Sequence, residues 1–271
     1  MISRQVNRLE VLSCSPKGKA ARNARATPLL FVHGAFAGAW VWDEHFLPYF
    51  SGLGYDAHAL SMRGHGHSHG HEHLDALSVH DFVDDLSAVI ADLGVAPVLV
   101  GHSMGGFVVQ KYLERHTVPA VALMCSVPPQ GLIAAQFSML MQKPGLMVEL
   151  NRLLAGGDVP LEVLREALFA EDIPRATLER YYRKMQQESQ RALWDMSMFS
   201  LPMVDRMHRP PMLVLGAEHD ALIPAFLVQS TAQTYGVPCT IFPGLGHGVM
   251  LEKDWLVVAE TLRDWLAGLA L

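Results

Sequence analysis

The pentapeptide Gly101-His102-Ser103-Met104-Gly105 sets a serine between two glycines directly after the apolar run Pro97-Val98-Leu99-Val100. This pattern predicts a nucleophile elbow, in which the chain leaves a buried strand, turns sharply and enters a helix. The serine is then held in a strained backbone conformation with its hydroxyl exposed at the sheet edge. Glycines flank it because a Cβ at either position clashes in so tight a turn. A serine hydroxyl is a poor nucleophile near neutral pH, so it needs a base within hydrogen-bond reach and an acid to orient that base. Asp220 follows the apolar run Met212-Leu213-Val214-Leu215-Gly216, and His247 lies in Gly244-Leu245-Gly246-His247-Gly248, just after Thr240-Ile241-Phe242. Ser103, Asp220 and His247 all fall at the carboxyl ends of expected strands, where open α/β sheets place their sites. Their chain order is one of those known for this catalytic geometry. Glu218 and His219 compete with Asp220. Asp220 is preferred because Ile223-Pro224 open a helix shortly after it, and because the strand ending at Cys125-Ser126 offers no carboxylate.

A tetrahedral intermediate also needs two N–H donors aimed at its oxyanion. The Met104 N–H, at the start of the elbow helix, is one. The other is expected from the loop His33-Gly34-Ala35-Phe36-Ala37-Gly38, with Ala35 preferred and His33 given a structural role.

These residues need a scaffold, and the hydrophobic patterning supplies one. Pro28 to Val32, Tyr55 to Leu60, Pro97 to Val100, Val118 to Cys125, Met212 to Leu215 and Thr240 to Phe242 read as strands. Trp40 to Phe50 reads as a helix stopped by Gly52 and Gly54. Val79 to Leu93 reads as a helix capped by Ser78 and stopped by Gly94. A last helix carries Leu251, Trp255, Val258, Leu262 and Trp265 at helical spacing. Strands alternating with helices imply an α/β fold, a mostly parallel central sheet with helices on both faces. Between Pro128-Pro129 and Pro210-Pro211 no strand is evident, helical spacing dominates and methionines concentrate. The expected organisation is a core of residues 1–129 and 209–271 with a helical cap, or lid, inserted at 130–208.

The chain resembles the α/β-hydrolase family across nearly its whole length. The matching segments are His33-Gly34-Ala35, Arg63-Gly64-His65-Gly66-His67-Ser68, Gly101-His102-Ser103-Met104-Gly105-Gly106, Gly216-Ala217-Glu218-His219-Asp220 and Gly246-His247. The resemblance implies the α/β-hydrolase fold, a Ser103, Asp220 and His247 triad, an oxyanion hole from Ala35 and Met104, and a cap over the pocket. Within the family, His33-Gly34-Ala35 with Gly38-Ala39-Trp40 is most similar to the small esterases and hydroxynitrile lyases of the methylesterase type. Those lyases usually carry a threonine in the first loop and a lysine directly after the catalytic histidine. Ala35 and Gly248 stand there in this chain, so the resemblance favours ester hydrolysis, with no cofactor. Ser103 argues against the members that use an aspartate nucleophile.

Composition narrows the function classes further. The 271 residues are 50% hydrophobic and 18% charged, with a net charge of −6, which suits a large core and argues against nucleic acid as a partner. The partner expected is a small-molecule ester. Cys14, Cys125 and Cys239 form no C-x-x-C pair, the N-terminus shows no apolar signal region, and no run is long enough for a membrane span. The expected location is the cytoplasm. His65, His67, His69, His71 and His73 alternate along one loop and invite a metal hypothesis, yet the loop lacks a helical pair with a third ligand, so no functional metal is expected. Phe36, Met139, Trp194, Met198 and Phe199 are the candidates for an apolar substrate pocket. Met141, Met147, Met196 and Met203 serve equally as pocket lining or as filler between cap helices.

Overall fold

The computed structural model describes residues 1–269 and 271 of the chain. Eight strands form one sheet: β1 (Ile2–Val6), β2 (Leu9–Cys14), β3 (Leu29–Val32), β4 (Ala57–Leu60), β5 (Val98–His102), β6 (Val121–Met124), β7 (Met212–Ala217) and β8 (Cys239–Phe242). Their order is β1-β2-β4-β3-β5-β6-β7-β8. The pairs β1/β2 and β2/β4 are antiparallel, and every other pair is parallel.

The central strands are apolar without alternation because both faces of the sheet are covered. Leu30, Val32, Leu99, Val121, Leu123 and Val214 pack beneath the helices Val79–Leu93, Met104–Tyr112 and Ala225–Tyr235. The alternate residues Leu29, Phe31, Val98, Val100, Ala122 and Leu215 face Trp42, Phe46, Phe50 and the helix Trp255–Gly268. The Val79–Leu93 helix has the predicted ends. Ser78 makes a capping box with Asp81, and Gly94 closes the helix in the left-handed region at φ 69°.

The expected helix from Trp40 to Phe50 is instead two short helices, Trp40–Asp43 and Phe46–Gly52, separated by Glu44 and His45. Pro48 explains the break, since its ring would clash with the carbonyl of residue 44 in a continuous helix. The hairpin β1–β2 turns at Asn7 and Arg8, both at positive φ.

Between β6 and β7 the chain forms the helices Ile133–Gln142, Pro144–Leu154, Leu161–Leu168, Arg175–Tyr182 and Gln190–Trp194, followed by a π-helical turn Asp195–Phe199. Among the described residues no helix is long and apolar enough to cross a membrane. The three cysteines are free.

Candidate active site

Ser103 sits between β5 and the helix Met104–Tyr112 at φ 53° and ψ −120°, a conformation that costs a non-glycine residue strain energy. Its N–H donates to the Met124 carbonyl at 3.0 Å, and its carbonyl accepts Val127 N–H at 3.2 Å, so β6 holds the turn in place. The flanking glycines answer to contact rather than to φ. A Cβ on Gly101 would lie 2.6 Å from Gly106 Cα, and one on Gly105 would lie 2.4 Å from the carbonyl oxygens of Val32 and His33. Strand and helix therefore approach at backbone distance.

Asp220 follows β7, and its two carboxylate oxygens divide their work. Oδ1 accepts the N–H groups of Leu222 at 2.9 Å and Ile223 at 2.7 Å, while Oδ2 lies 2.8 Å from His247 Nδ1. With both oxygens engaged, the carboxylate fixes the ring orientation of His247. The loop bearing His247 is set by close packing. Gly246 lies where a Cβ would meet the Ala170 nitrogen at 2.7 Å, Gly248 N–H donates to the Leu168 carbonyl at 2.6 Å, and buried Glu252 accepts Gly246 N–H at 2.8 Å.

His102 adds a support that the motif does not reveal. Its Nε2 lies 2.9 Å from the His247 carbonyl oxygen, which makes the ring a donor there. Burial, followed by the neighbouring His247, pushes its pKa well below the ordinary range, so the ring stays neutral.

Ala35 and Met104 line the same cavity as Ser103 and His247. Among the described residues, the backbone N–H of neither donates to a backbone acceptor. The next N–H along the loop, that of Phe36, is taken by Glu188 at 3.1 Å. His33 shapes the loop as the sequence suggests: its Nε2 accepts Met62 N–H at 3.1 Å, which leaves Nδ1–H to donate to the Gly34 carbonyl at 2.7 Å.

A model of the alpha/beta hydrolase family matches residues 29–261. The chain belongs to this family. A non-heme haloperoxidase from Rhodococcus erythropolis is 27% identical over 273 residues, covering 87% of this chain and 90% of the relative. A monoacylglycerol lipase from Mycolicibacterium smegmatis is 27% identical over 237 residues, covering 82% of each. Among solved structures, an esterase from Exiguobacterium antarcticum superposes with a TM-score of 0.70 at 18% identity, over 98% of both chains.

In this α/β-hydrolase the cavity above Ser103 measures about 220 Å³. Of the five pocket candidates, Phe36 and Met139 line it, together with Met147, Met196, Leu164 and Tyr181. Trp194, Met198 and Phe199 do not. They are 57%, 49% and 68% exposed and lie on the outside of the helical insertion. Trp194 and Met198 are four residues apart and share an outward stripe, whereas Leu193 and Met196 face the cavity. Two apolar stripes run along this segment, and composition alone does not say which one turns inward.

Among the described residues, the donor atoms of the histidine-rich loop form no converging group of three. His65 is buried against Glu188, whereas His67, His71 and His73 are exposed. The cluster whose donor atoms do converge, among the described residues, is His102, Cys125 and His247. Its chemistry is unsuited to a metal. His247 Nδ1 faces Asp220 and His102 Nε2 faces a carbonyl. Burial and the adjacent Asp220 carboxylate push the Cys125 thiol well up, so it keeps its proton.

Two buried neutral histidines set the response to acid. Burial, and then the charge of His65, push His33 down to about 3, and His102 is shifted in the same direction. Below the ordinary histidine value of about 6.5, the unfolded chain takes up protons that the folded chain refuses. Stability is therefore lost as pH falls from about 6.5 towards 3. His65 has the opposite sign. Burial lowers its pKa, but the Glu188 carboxylate and the Arg63 carbonyl outweigh burial and the net shift is upward. Its contribution is full below about 6.5 and is lost as pH rises through the raised value. Thermal melts are expected to give a lower Tm at pH 5 than at pH 7, with a smaller drop in His102→Gln. An unchanged or higher Tm at pH 5 would contradict this reading.

Proposed function

We propose that the protein is a serine carboxylesterase acting on small to medium apolar esters, with residues 130–208 serving as the cap over its pocket. The observation that carries the reading is the chain of contacts from Asp220 through His247 to the cavity that Ser103 lines. His247 takes the Ser103 proton as the hydroxyl attacks the ester carbonyl, and Asp220 stabilises the charged imidazole. The Ala35 and Met104 N–H groups receive the oxyanion. The alcohol leaves with the proton that His247 returns, and water activated by the same histidine hydrolyses the acyl-enzyme. The apolar lining favours an uncharged acyl group, and no Lys or Arg lines the cavity among the described residues. Gly248 supplies no side-chain cation of the kind a cyanohydrin lyase uses, and a Cβ there would sit tightly, 3.1 Å from the Leu168 carbonyl oxygen.

A second reading keeps the acyl-enzyme and lets hydrogen peroxide replace water, releasing a peracid. The relatives named as haloperoxidases favour it.

The test combines turnover of nitrophenyl esters of graded acyl length with mass-spectrometric mapping of a neutral fluorophosphonate adduct. Turnover with the adduct on Ser103 is the expected result. Absence of turnover, or an adduct elsewhere, would sink the esterase reading. Acyl transfer to hydrogen peroxide is measured by adding the peroxide and quantifying the peracid.

A further inference from the structure

Residues 186–189 of the helical insertion close around the loop that carries Ala35. Phe36 stands at φ 61°, a left-handed conformation that a phenylalanine rarely adopts. Both of its backbone polar groups are held from the insertion. Its N–H donates to Glu188 Oε2 at 3.1 Å, and its carbonyl accepts Gln186 N–H at 3.2 Å. Glu188 is buried at 1% exposure, and its Oε1 accepts Ser189 N–H at 2.7 Å.

The third partner of that carboxylate is His65. Its Nε2 lies 3.0 Å from Glu188 Oε2, and its Nδ1 lies 3.0 Å from the Arg63 carbonyl oxygen. A carbonyl only accepts, so Nδ1 carries a proton. Burial lowers the His65 pKa, but the Glu188 carboxylate outweighs burial and the net shift is upward. The pair is a buried imidazole–carboxylate contact, with both side chains fully out of solvent. Gln186 ties the same elements together, accepting Gly66 N–H at 2.8 Å through Oε1 and donating to the Gly64 carbonyl through Nε2. The turn 64–66 therefore grips residues 186–188, and these grip Phe36.

We propose that Glu188 is a positioning residue for the oxyanion hole, the link through which docking of the insertion onto the His65 turn aims the Ala35 N–H. The proposal rests on the reading of Ala35 as an oxyanion donor. Phe36 keeps its left-handed conformation only while both clamps hold it, because that conformation is strained. When the insertion lifts, Phe36 relaxes, the Ala35–Phe36 peptide plane rotates and the adjoining plane that carries the Ala35 N–H turns with it. The hole is thus complete only under a closed cap, and catalytic power is coupled to enclosure of the substrate.

Glu188→Gln tests the link, since an amide offers one acceptor oxygen where the carboxylate takes the Phe36 and Ser189 N–H groups on separate oxygens. With nitrophenyl butyrate, kcat is expected to fall about 10- to 100-fold with KM within about twofold, because removing an oxyanion donor outright costs about 10²- to 10³-fold. The rate of Ser103 phosphonylation is expected to fall in parallel. His65→Gln keeps one donor towards Glu188 and removes the imidazole. It is expected to lower kcat about 3- to 10-fold, and it carries the test if Glu188→Gln does not fold. Asp195→Asn controls for general loosening. It weakens a different contact between insertion and core, from Val79 N–H to Asp195 at 3.1 Å, and is expected to lower Tm with kcat within about twofold. A folded Glu188→Gln with wild-type kcat and labelling rate overturns the proposal while leaving the esterase reading intact. So does an Asp195→Asn that loses as much kcat. A wild-type chain that Ser103 probes fail to label overturns both.

Discussion

Ser103→Ala is expected to lower kcat/KM on a nitrophenyl ester by about 10⁴-fold or more while leaving the fold and Tm unchanged. The hydroxyl is the bond-forming atom of the proposed mechanism, and nothing nearby replaces it. Cys125, a buried nucleophile-type side chain in the same region, keeps its proton beside Asp220. Because serine, histidine and aspartate act as a unit in the proposed mechanism, a Ser103→Ala/His247→Ala double variant is expected to lose little beyond the single one. Asp220→Asn carries its own signature. Its amide oxygen must serve the Leu222 and Ile223 N–H groups, so the NH₂ faces His247 Nδ1. Nδ1 then accepts, Nε2 carries the proton, and the ring can no longer take one from Ser103. A loss of kcat with unchanged KM is the expected result. Retention of full activity by Ser103→Ala would remove the covalent mechanism altogether.

What could be read in advance was whatever local chemistry imposes. The elbow glycines, the Ser78 cap with Gly94 and the apolar runs that became β3, β5, β6 and β7 are legible because each obeys a rule spanning a few residues. The family motifs quoted from the sequence lie within the span that the family model matches. Contacts across long separations stayed hidden. Phe36 and Glu188 are 152 residues apart, and His65 and Glu188 are 123 apart. Within its histidine-rich loop His65 looks like its neighbours, and only burial against a carboxylate sets it apart. Glycine at 246 likewise answers to a distant contact, the backbone of Ala170 pressed against it. Trp194, Met198 and Phe199 were misplaced because helical spacing fixes which residues share a face but not the direction of that face.

Gly105→Ala is expected to be the most damaging single methyl in the protein's elbow. The added Cβ would stand 2.4 Å from two carbonyl oxygens, those of Val32 and His33, and 2.7 Å from the Val32 carbonyl carbon. All three atoms belong to the backbone at the end of β3, which is buried on both sides, so no side chain can rotate away to make room. The helix Met104–Tyr112 would have to back off from the sheet, yet every residue along it is buried. The expected cost is about 4 kcal/mol or more, or about 10 °C or more in Tm for a chain of this size. Activity should fall in whatever fraction still folds, because moving this helix moves the Met104 N–H and Ser103 together. Gly145→Ala is the comparison. It lies in the first turn of the helix Pro144–Leu154, and a methyl added there would have nothing within 4 Å of it, so alanine is expected to raise stability by about 0.5 kcal/mol. Paired thermal melts and ester assays measure both. If Gly105→Ala melted within a few degrees of wild type with full kcat/KM, close backbone approach would not be what demands glycine at the elbow.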